Sequence, residues 1–152
     1  MTISLQDLGL AVKRLQWRHH REANTRLQAA LGLSLPQWDV LRHLHQRPEA
    51  SLHELAQLTF QTDQSMGALA SRMISRGLLE RAGGPGRAVR HLITPPGEQA
   101  RRAGSDIMNA VLRESLGGLT APQRATLYRL LTEAAGSGPG QQPHAPDGGR
   151  SR

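Results

Sequence analysis

SLHELAQLTFQTDQSMGALASRMISRGLLERAGGPGRAVRHLITPPG, residues 51–97, holds two short helical patterns, a polar turn and a Gly-rich hairpin, in that order. Ser51 followed three residues later by Glu54 is a capping box, in which each side chain satisfies a backbone N–H that the helix start leaves orphaned. It opens a helix through Leu58 with Leu52, Leu55 and Ala56 on its core side. Residues 59–61 make the turn, and Thr62 or Asp63 caps the next helix. There Met66, Leu69, Ala70, Met73 and Ile74 recur at i, i+3, i+4, i+7 and i+8, which puts them on one face. Gly77 suits a helix end. Residues 78–82 then read as a strand, Gly83-Gly84-Pro85-Gly86 as a turn, and residues 88–93 as the returning strand. Two helices, a turn and a hairpin make a winged helix-turn-helix, mainly α with a small β-hairpin wing. That shape lays one helix in the DNA major groove with a loop beside it.

Outward from this stretch, residues 5–31 read as one long helix, with Leu8, Val12, Leu15, Ala23, Leu27 and Ala30 on one face and Lys13, Arg14, Arg18, Arg21 and Arg26 on the other. A helix of that length cannot bury its stripe on a small domain alone and is expected to meet other end segments or a second subunit. Gly32 ends it, and Ser34-Leu35-Pro36-Gln37 is a second capping box for a helix with Trp38, Leu41 and Leu44 inside. Pro95 and Pro96 break the hairpin and lead into a helix over 97–116 with Ala100, Ala103, Ile107, Ala110 and Val111 on one side. A third capping box, Thr120-Ala121-Pro122-Gln123, opens a last helix expected to turn Leu127, Leu130, Leu131 and Ala134 inward. From Gly136 the chain is Gly, Pro, Ser and Gln without periodicity, the composition of a disordered tail. The organisation expected is a helical dimerisation region over 1–33 and 97–135, a DNA-binding lobe over 34–96, and a tail over 136–152.

Composition narrows the function classes. The 152 residues carry a formal charge of +7, and all but Lys13 of the 19 basic residues are arginine. A basic surface attracts polyanions, nucleic acid foremost. There is no cysteine, so disulfides, thiolate metal sites and thiol-based oxidant sensing are excluded. No apolar run has the ~18 residues of a membrane span, and the first residues lack a secretory layout; a cytoplasmic protein is expected, with no membrane partner. No Gly-rich phosphate loop, nucleophile elbow or paired-carboxylate motif points to an enzyme, and no cofactor is expected. The seven histidines (His19, His20, His43, His45, His53, His91 and His144) lack the helical spacing beside a carboxylate that marks a metal site, so no metal ligand is assigned.

The second helix of the pair presents its polar, N-terminal side to bases. Gln61, Thr62, Gln64, Ser65, Ala68 and Ser71 fall off the apolar stripe. Gln64 has the geometry to read adenine with two hydrogen bonds, worth about 1–3 kcal/mol of discrimination. Thr62 and Ser65 suit phosphate contacts or capping, and Asp63 suits the positive end of the helix dipole. Arg72 and Arg76 are expected on phosphates and Arg90 on the backbone. Arg87 at the hairpin tip suits a narrow, electronegative minor groove.

Five segments in sequence carry a family likeness: Leu35-Pro36-Gln37-Trp38-Asp39-Val40-Leu41, Leu52-His53-Glu54-Leu55-Ala56, Arg76-Gly77-Leu78-Leu79-Glu80-Arg81, Ile93-Thr94-Pro95-Pro96-Gly97 and Leu119-Thr120-Ala121-Pro122-Gln123-Arg124. Together they resemble the MarR family of bacterial transcriptional regulators over residues 5–135. The resemblance implies a homodimer with interlocked terminal helices, two winged heads on a pseudo-palindromic operator, and repression or activation often relieved by a small aromatic acid. It also implies a ligand pocket between the long helices and the DNA-binding lobe, for which Trp17, His20, Trp38 and Arg42 could supply aromatic walls and a cation, while ordinary core packing is the favoured role of Trp38 and an equal one for Trp17. Two positions depart from the family pattern. Pro85 stands where the wing often has Asp, two residues before its Arg, and Gly67-Ala68 stand where the reading helix often has Thr and Arg. Two other readings share the fold: a DNA-binding protein without an effector, constitutive or architectural, and a metal-responsive regulator.

Overall fold

Hydroxyl side chains start the helices. The computed structural model describes residues 2–83, 85–86 and 88–136. Along them run α1 (Leu5–Leu31), α2 (Leu35–Gln46), α3 (Leu52–Leu58), α4 (Asp63–Ser75), β1 (Leu79–Ala82), β2 (Arg90–Ile93), α5 (Pro95–Leu116) and α6 (Ala121–Ala135). Ser4, Ser34, Ser51, Thr62, Thr94 and Thr120 are the N-caps, each accepting a backbone N–H three residues on. Each such cap is worth about 1 kcal/mol. The three capping boxes expected from the sequence form, and Ser4 with Asp7 makes another.

α5 starts at Pro95, two residues ahead of the expected Gly97. Pro95 and Pro96 follow the end of the hairpin, as expected, and also belong to the helix. They fill the first turn, where an N–H has no intrahelical partner anyway, while the Thr94 hydroxyl takes the Gly97 N–H at 3.1 Å. Each strand starts later than expected and ends where expected. Leu78 is lost to β1 because its N–H closes onto Met73 O (3.0 Å) at the end of α4. The hairpin is antiparallel, with Leu79 opposite Ile93 and Arg81 opposite His91. The tip residues Gly84 and Arg87 lie outside the described residues.

The helices α1, α3 and α4 each end on a left-handed residue. Gly32 (φ 63°) ends α1 and Gly77 (φ 73°) follows α4. After α3 the left-handed residue is Phe60 (φ 57°), a position that costs a side chain about 1–2 kcal/mol. The α3 and α4 ends have the same paired bonds: Phe60 N–H to Gln57 O with Gln61 N–H to Ala56 O, and Gly77 N–H to Ile74 O with Leu78 N–H to Met73 O.

The chain divides into two compact units, Met1–Leu119 and Thr120–Arg152. The first holds one core, in which Leu33, Val40, Leu41 and Leu44 meet Leu55, Met66, Leu69, Met73 and Leu79. The second half of α1 buries Ala23 and Leu27 and pairs with α5. Arg26 donates to both Glu114 carboxylate oxygens at 2.9 and 2.7 Å, and His19 Nε2 meets the Ser115 hydroxyl at 2.5 Å. α2 meets α5 so closely that a Cβ on Gly104 would overlap the Trp38 ring. The first half of α1 leaves Leu5, Leu8, Leu10 and Val12 exposed.

In the second unit, α6 is braced by its cap and by the Arg129–Glu133 pair at 2.8 Å. It buries no residue, and Leu130 and Leu131 are exposed. The inward-facing row expected of Leu127, Leu130, Leu131 and Ala134 is therefore not buried by this chain: Leu127 is half-buried and Ala134 exposed. The tail expected from Gly136 falls, apart from Gly136 itself, outside the described residues.

Candidate nucleic-acid interface

The two faces of α4 divide cleanly. Met66, Leu69, Ala70 and Met73 point into the core, while Thr62, Asp63, Gln64, Ser65, Ala68, Ser71 and Arg72 are exposed. Thr62 is the N-cap: its hydroxyl accepts the Ser65 N–H at 3.1 Å and donates to the Ser65 hydroxyl at 2.9 Å. Gln64 and Arg72 make no side-chain hydrogen bond or ion pair among the described residues, so both remain available to an outside partner. Gln61, just before the cap, is half-buried. A Cβ on Gly67 would meet nothing within 4 Å, so the internal packing of the chain does not demand that glycine.

Asp63 sits at the positive end of the α4 dipole. His53, from the first turn of α3, places Nδ1 2.9 Å from its carboxylate. Sequence spacing gave no sign of this pair, whose members lie ten residues apart on different helices.

Two of the arginines expected on phosphates have internal partners. Arg76 donates to Gly32 O at 2.6 Å and to Leu31 O at 3.2 Å. It thus neutralises the carbonyl end of α1, where a cation is favoured. Arg90 forms an ion pair with Glu49, ahead of α3. Arg72 keeps an open guanidinium, and Arg87 lies outside the described residues.

The four residues expected to line a ligand pocket form two pairs. Trp38 is 5% exposed and its indole N–H donates to Arg101 O at 3.1 Å. The Arg42 guanidinium stands 5.7 Å from the centre of the Trp38 ring and 3.3 Å from Asp39 Oδ1. Both line a groove of about 480 Å³ between α2 and α5, with Asp39, Ser105, Met108, Asn109 and Leu112. Trp17 and His20 stack on each other on α1, rings parallel to 9° at 6.4 Å, with Trp17 61% exposed; neither lines the groove.

Burial governs the histidines around these features. His43, beside Arg42, is held below its usual pKa by burial and then by the Arg42 charge. His91, on β2, is lowered by burial and by the facing Arg81. His19 is lowered by burial and by Arg18. All three are favoured in the neutral form. Among the described residues no three His, Asp or Glu side chains gather as a metal site, and no helix is long and apolar enough to cross a membrane. His144 lies outside the described residues.

A family model described as MarR family matches residues 31–88. The HTH-type transcriptional repressor Rv2887 of Mycobacterium tuberculosis is 32% identical over 103 residues, covering 66% of this chain and 74% of the relative. The chain belongs to the MarR family.

Solved structures agree with that membership. The MarR-family protein Rv2887 of M. tuberculosis in complex with DNA aligns at a TM-score of 0.70 and 27% identity over 90% of this chain and 100% of its own. The same mycobacterial protein with p-aminosalicylic acid aligns at 0.70 and 27% over 85% and 98%. In MarR terms, α3 and α4 are the helix-turn-helix pair and β1–β2 the wing. The periodicity located both. What it missed on this MarR chain are partners far apart in sequence: Arg76 with the α1 end, His53 with Asp63, Arg90 with Glu49. The Phe60 turn was legible only as polar surroundings around one aromatic residue.

Proposed function

We propose that this MarR-family chain is a dimeric, sequence-specific DNA-binding repressor released from its operator by a small aromatic acid. The observation that carries the DNA reading is the exposed polar side of α4, on which Gln64 and Arg72 stand without partners among the described residues. Gln64 reads a base edge, Thr62, Ser65, Ser71 and Arg72 hold phosphates, Gln61 and Ala68 border the groove, and Arg87 of the wing enters the minor groove. Arg76 and Arg90 act one step back, since their charges already serve Gly32 and Glu49. The mycobacterial relative, named a repressor and solved with DNA, supports the same reading.

Pairing of two chains follows from what one chain leaves open. The first half of α1 and the α6 row have apolar residues in solvent that a second copy would cover. Residues 1–33 and 97–135 are thus the dimerisation region, and 34–96 the lobe that meets DNA. The twofold pair would present its reading helices to major grooves about 34 Å apart on a pseudo-palindrome.

For the effector, the groove with Trp38 and Arg42 offers a ring face and a cation to an aromatic carboxylate, and the relative's complex with p-aminosalicylic acid supports that class of ligand. Trp17 and His20 stack on each other away from this groove and are not part of the proposed site. A ligand would act by favouring a head separation that no longer fits the grooves. One observation favours an effector-free regulator instead: Arg42 is already paired with Asp39. The test is fluorescence anisotropy on duplexes from the region upstream of the chain's own reading frame, with and without salicylate and p-aminosalicylate. Binding at low salt that the acids weaken in wild type but not in Arg42→Ala is the expected result. No binding to any duplex sinks the DNA reading. Binding that no acid alters, with no heat of acid binding in calorimetry, leaves the effector-free regulator.

A further inference from the structure

The turn that joins α3 to α4 contains a residue the chain itself does not need there. Phe60 occupies the left-handed position (φ 57°) that ends α3, while the same bonding pattern after α4 is built on Gly77. Glycine is the residue this conformation favours, because it has no Cβ to crowd the carbonyl. The turn is otherwise firmly held. Thr59 is buried and its hydroxyl donates to Leu55 O at 2.7 Å, and Gln61 N–H reaches Ala56 O at 2.8 Å. These bonds on either side hold Phe60 in the left-handed turn. The only phenylalanine of the chain sits at this point, 96% exposed. A side chain that strains the backbone and covers no apolar surface of its own chain contributes nothing to folding.

Its place in the fold indicates the partner. Phe60 lies two residues ahead of the Thr62 cap of the reading helix. In a helix-turn-helix that end of the helix enters the major groove. The one acidic side chain of the first α4 turn, Asp63, has its carboxylate engaged by His53 at 2.9 Å, which lessens its repulsion of phosphate beside the turn. The apolar feature a major groove offers to an aromatic ring is the 5-methyl group of thymine.

We propose that Phe60 is a specificity-determining residue, whose ring packs against a thymine methyl at the edge of the major groove in each half-site. The proposal rests on the DNA-binding reading above. It adds an apolar base contact beside α4, whose own outward residues are polar or small.

The test selects duplexes from a random pool with the full-length wild-type chain, then measures binding by anisotropy to the selected duplex and to versions with each thymine replaced by deoxyuridine. Wild type should lose about tenfold in affinity at one thymine of each half-site. F60G should bind the unsubstituted duplex about tenfold more weakly, show no response to deoxyuridine at that position, and keep the same salt dependence, because no charge is removed. F60W should retain both the affinity and the thymine preference. F60G should also unfold a few degrees above wild type, since the backbone strain is relieved, which separates a lost contact from a damaged fold. Equal binding by wild type and F60G would overturn the proposal and leave the DNA reading standing. So would weaker F60G binding with no deoxyuridine effect in wild type, which would assign the ring to the sugar edge. A change in sedimentation of F60G without a change in DNA affinity would assign the ring to a protein contact and also overturn it. If wild type selects no duplex at all, both readings fail together.

Discussion

The DNA-binding lobe and the first half of α1 have the same kind of sequence pattern and finish in opposite states. Each has an apolar row at helical spacing. In α2, α3 and α4 that row is covered: Leu41, Leu55, Met66 and Met73 are buried against one another. In α1, Leu8 and Val12 lie in solvent, and burial begins only at Ala23 and Leu27, where α5 lies alongside. Periodicity says which side of a helix will be covered, and says nothing about which molecule will cover it. The lobe completes itself within the chain. The early turns of α1 have the character of half an interface.

The largest expected effect divides these two regions. Leu41→Ala should cost about 2–5 kcal/mol in urea denaturation, equally at low and high protein concentration, because its cavity lies within one chain. The pair Leu8→Ser and Val12→Ser should change the stability of a dilute, monomeric sample by no more than about 0.5 kcal/mol, as surface substitutions do. It should weaken self-association by at least about tenfold in sedimentation equilibrium. Equal loss of monomer stability from both would erase the contrast.

Gly104→Ala should come next. The new methyl overlaps the Trp38 ring, so α2 and α5 must separate or the indole must turn, at about 1–3 kcal/mol. A changed tryptophan emission together with lower thermal stability is the expected outcome. Unchanged emission would mean that the two helices are less tightly apposed than the structure has them.

Arg76 and Arg72 sharpen the comparison on a single helix. Arg76→Ala leaves the Leu31 and Gly32 carbonyls without their donor and should cost about 1 kcal/mol of stability. Arg72→Ala should cost almost none, yet should lower the salt slope of DNA binding by about one per subunit. The opposite assignment of the two effects would restore Arg76 to the phosphates.

The gentlest effect is on pH. The unfolded imidazole titrates near 6.5, while His19, His43 and His91 are held below that by burial. Below about 6.5 the unfolded chain therefore takes up more protons, and the stability these groups contribute, present at neutral pH, is lost as pH falls. Glu98 adds a separate, more acidic window. Its hydrogen bonds from Arg101 hold its pKa at about 2, so its contribution persists above 4.5 and is lost between there and about 2. Thermal midpoints should fall by a few degrees between pH 7 and 5 and further below 4.5. His43→Gln should flatten the first step only.

Much of the architecture was legible because it is encoded locally. Ser34 with Gln37, Ser51 with Glu54 and Thr120 with Gln123 announce helix starts within four residues, and the Met66–Ile74 row fixes the inner face of α4. Even the error at Pro95 was local: the same two prolines that end a hairpin are at home in a first helical turn. What could not be read was set by distance. Nothing in the neighbourhood of Arg76 indicates that a carbonyl 44 residues earlier will claim it. Trp38 was legible as a core residue from its place in the apolar row of α2, and it is buried; whether Trp17 shares a pocket with it was not legible, and the fold stacks Trp17 on His20 instead. Site assignments that depend on which arginine is still free therefore needed the three-dimensional arrangement.

The bond from Arg76 to the end of α1 has a mechanical meaning. It ties the trailing end of the reading helix to the trailing end of the longest helix in the first unit, through two carbonyl oxygens. There is no slack between them: rolling or tilting α1 drags the back of α4 along like a crank on a shaft. Whatever grips the front of α1 thus has a lever on the angle at which α4 is offered outward, without any loop having to fold or melt.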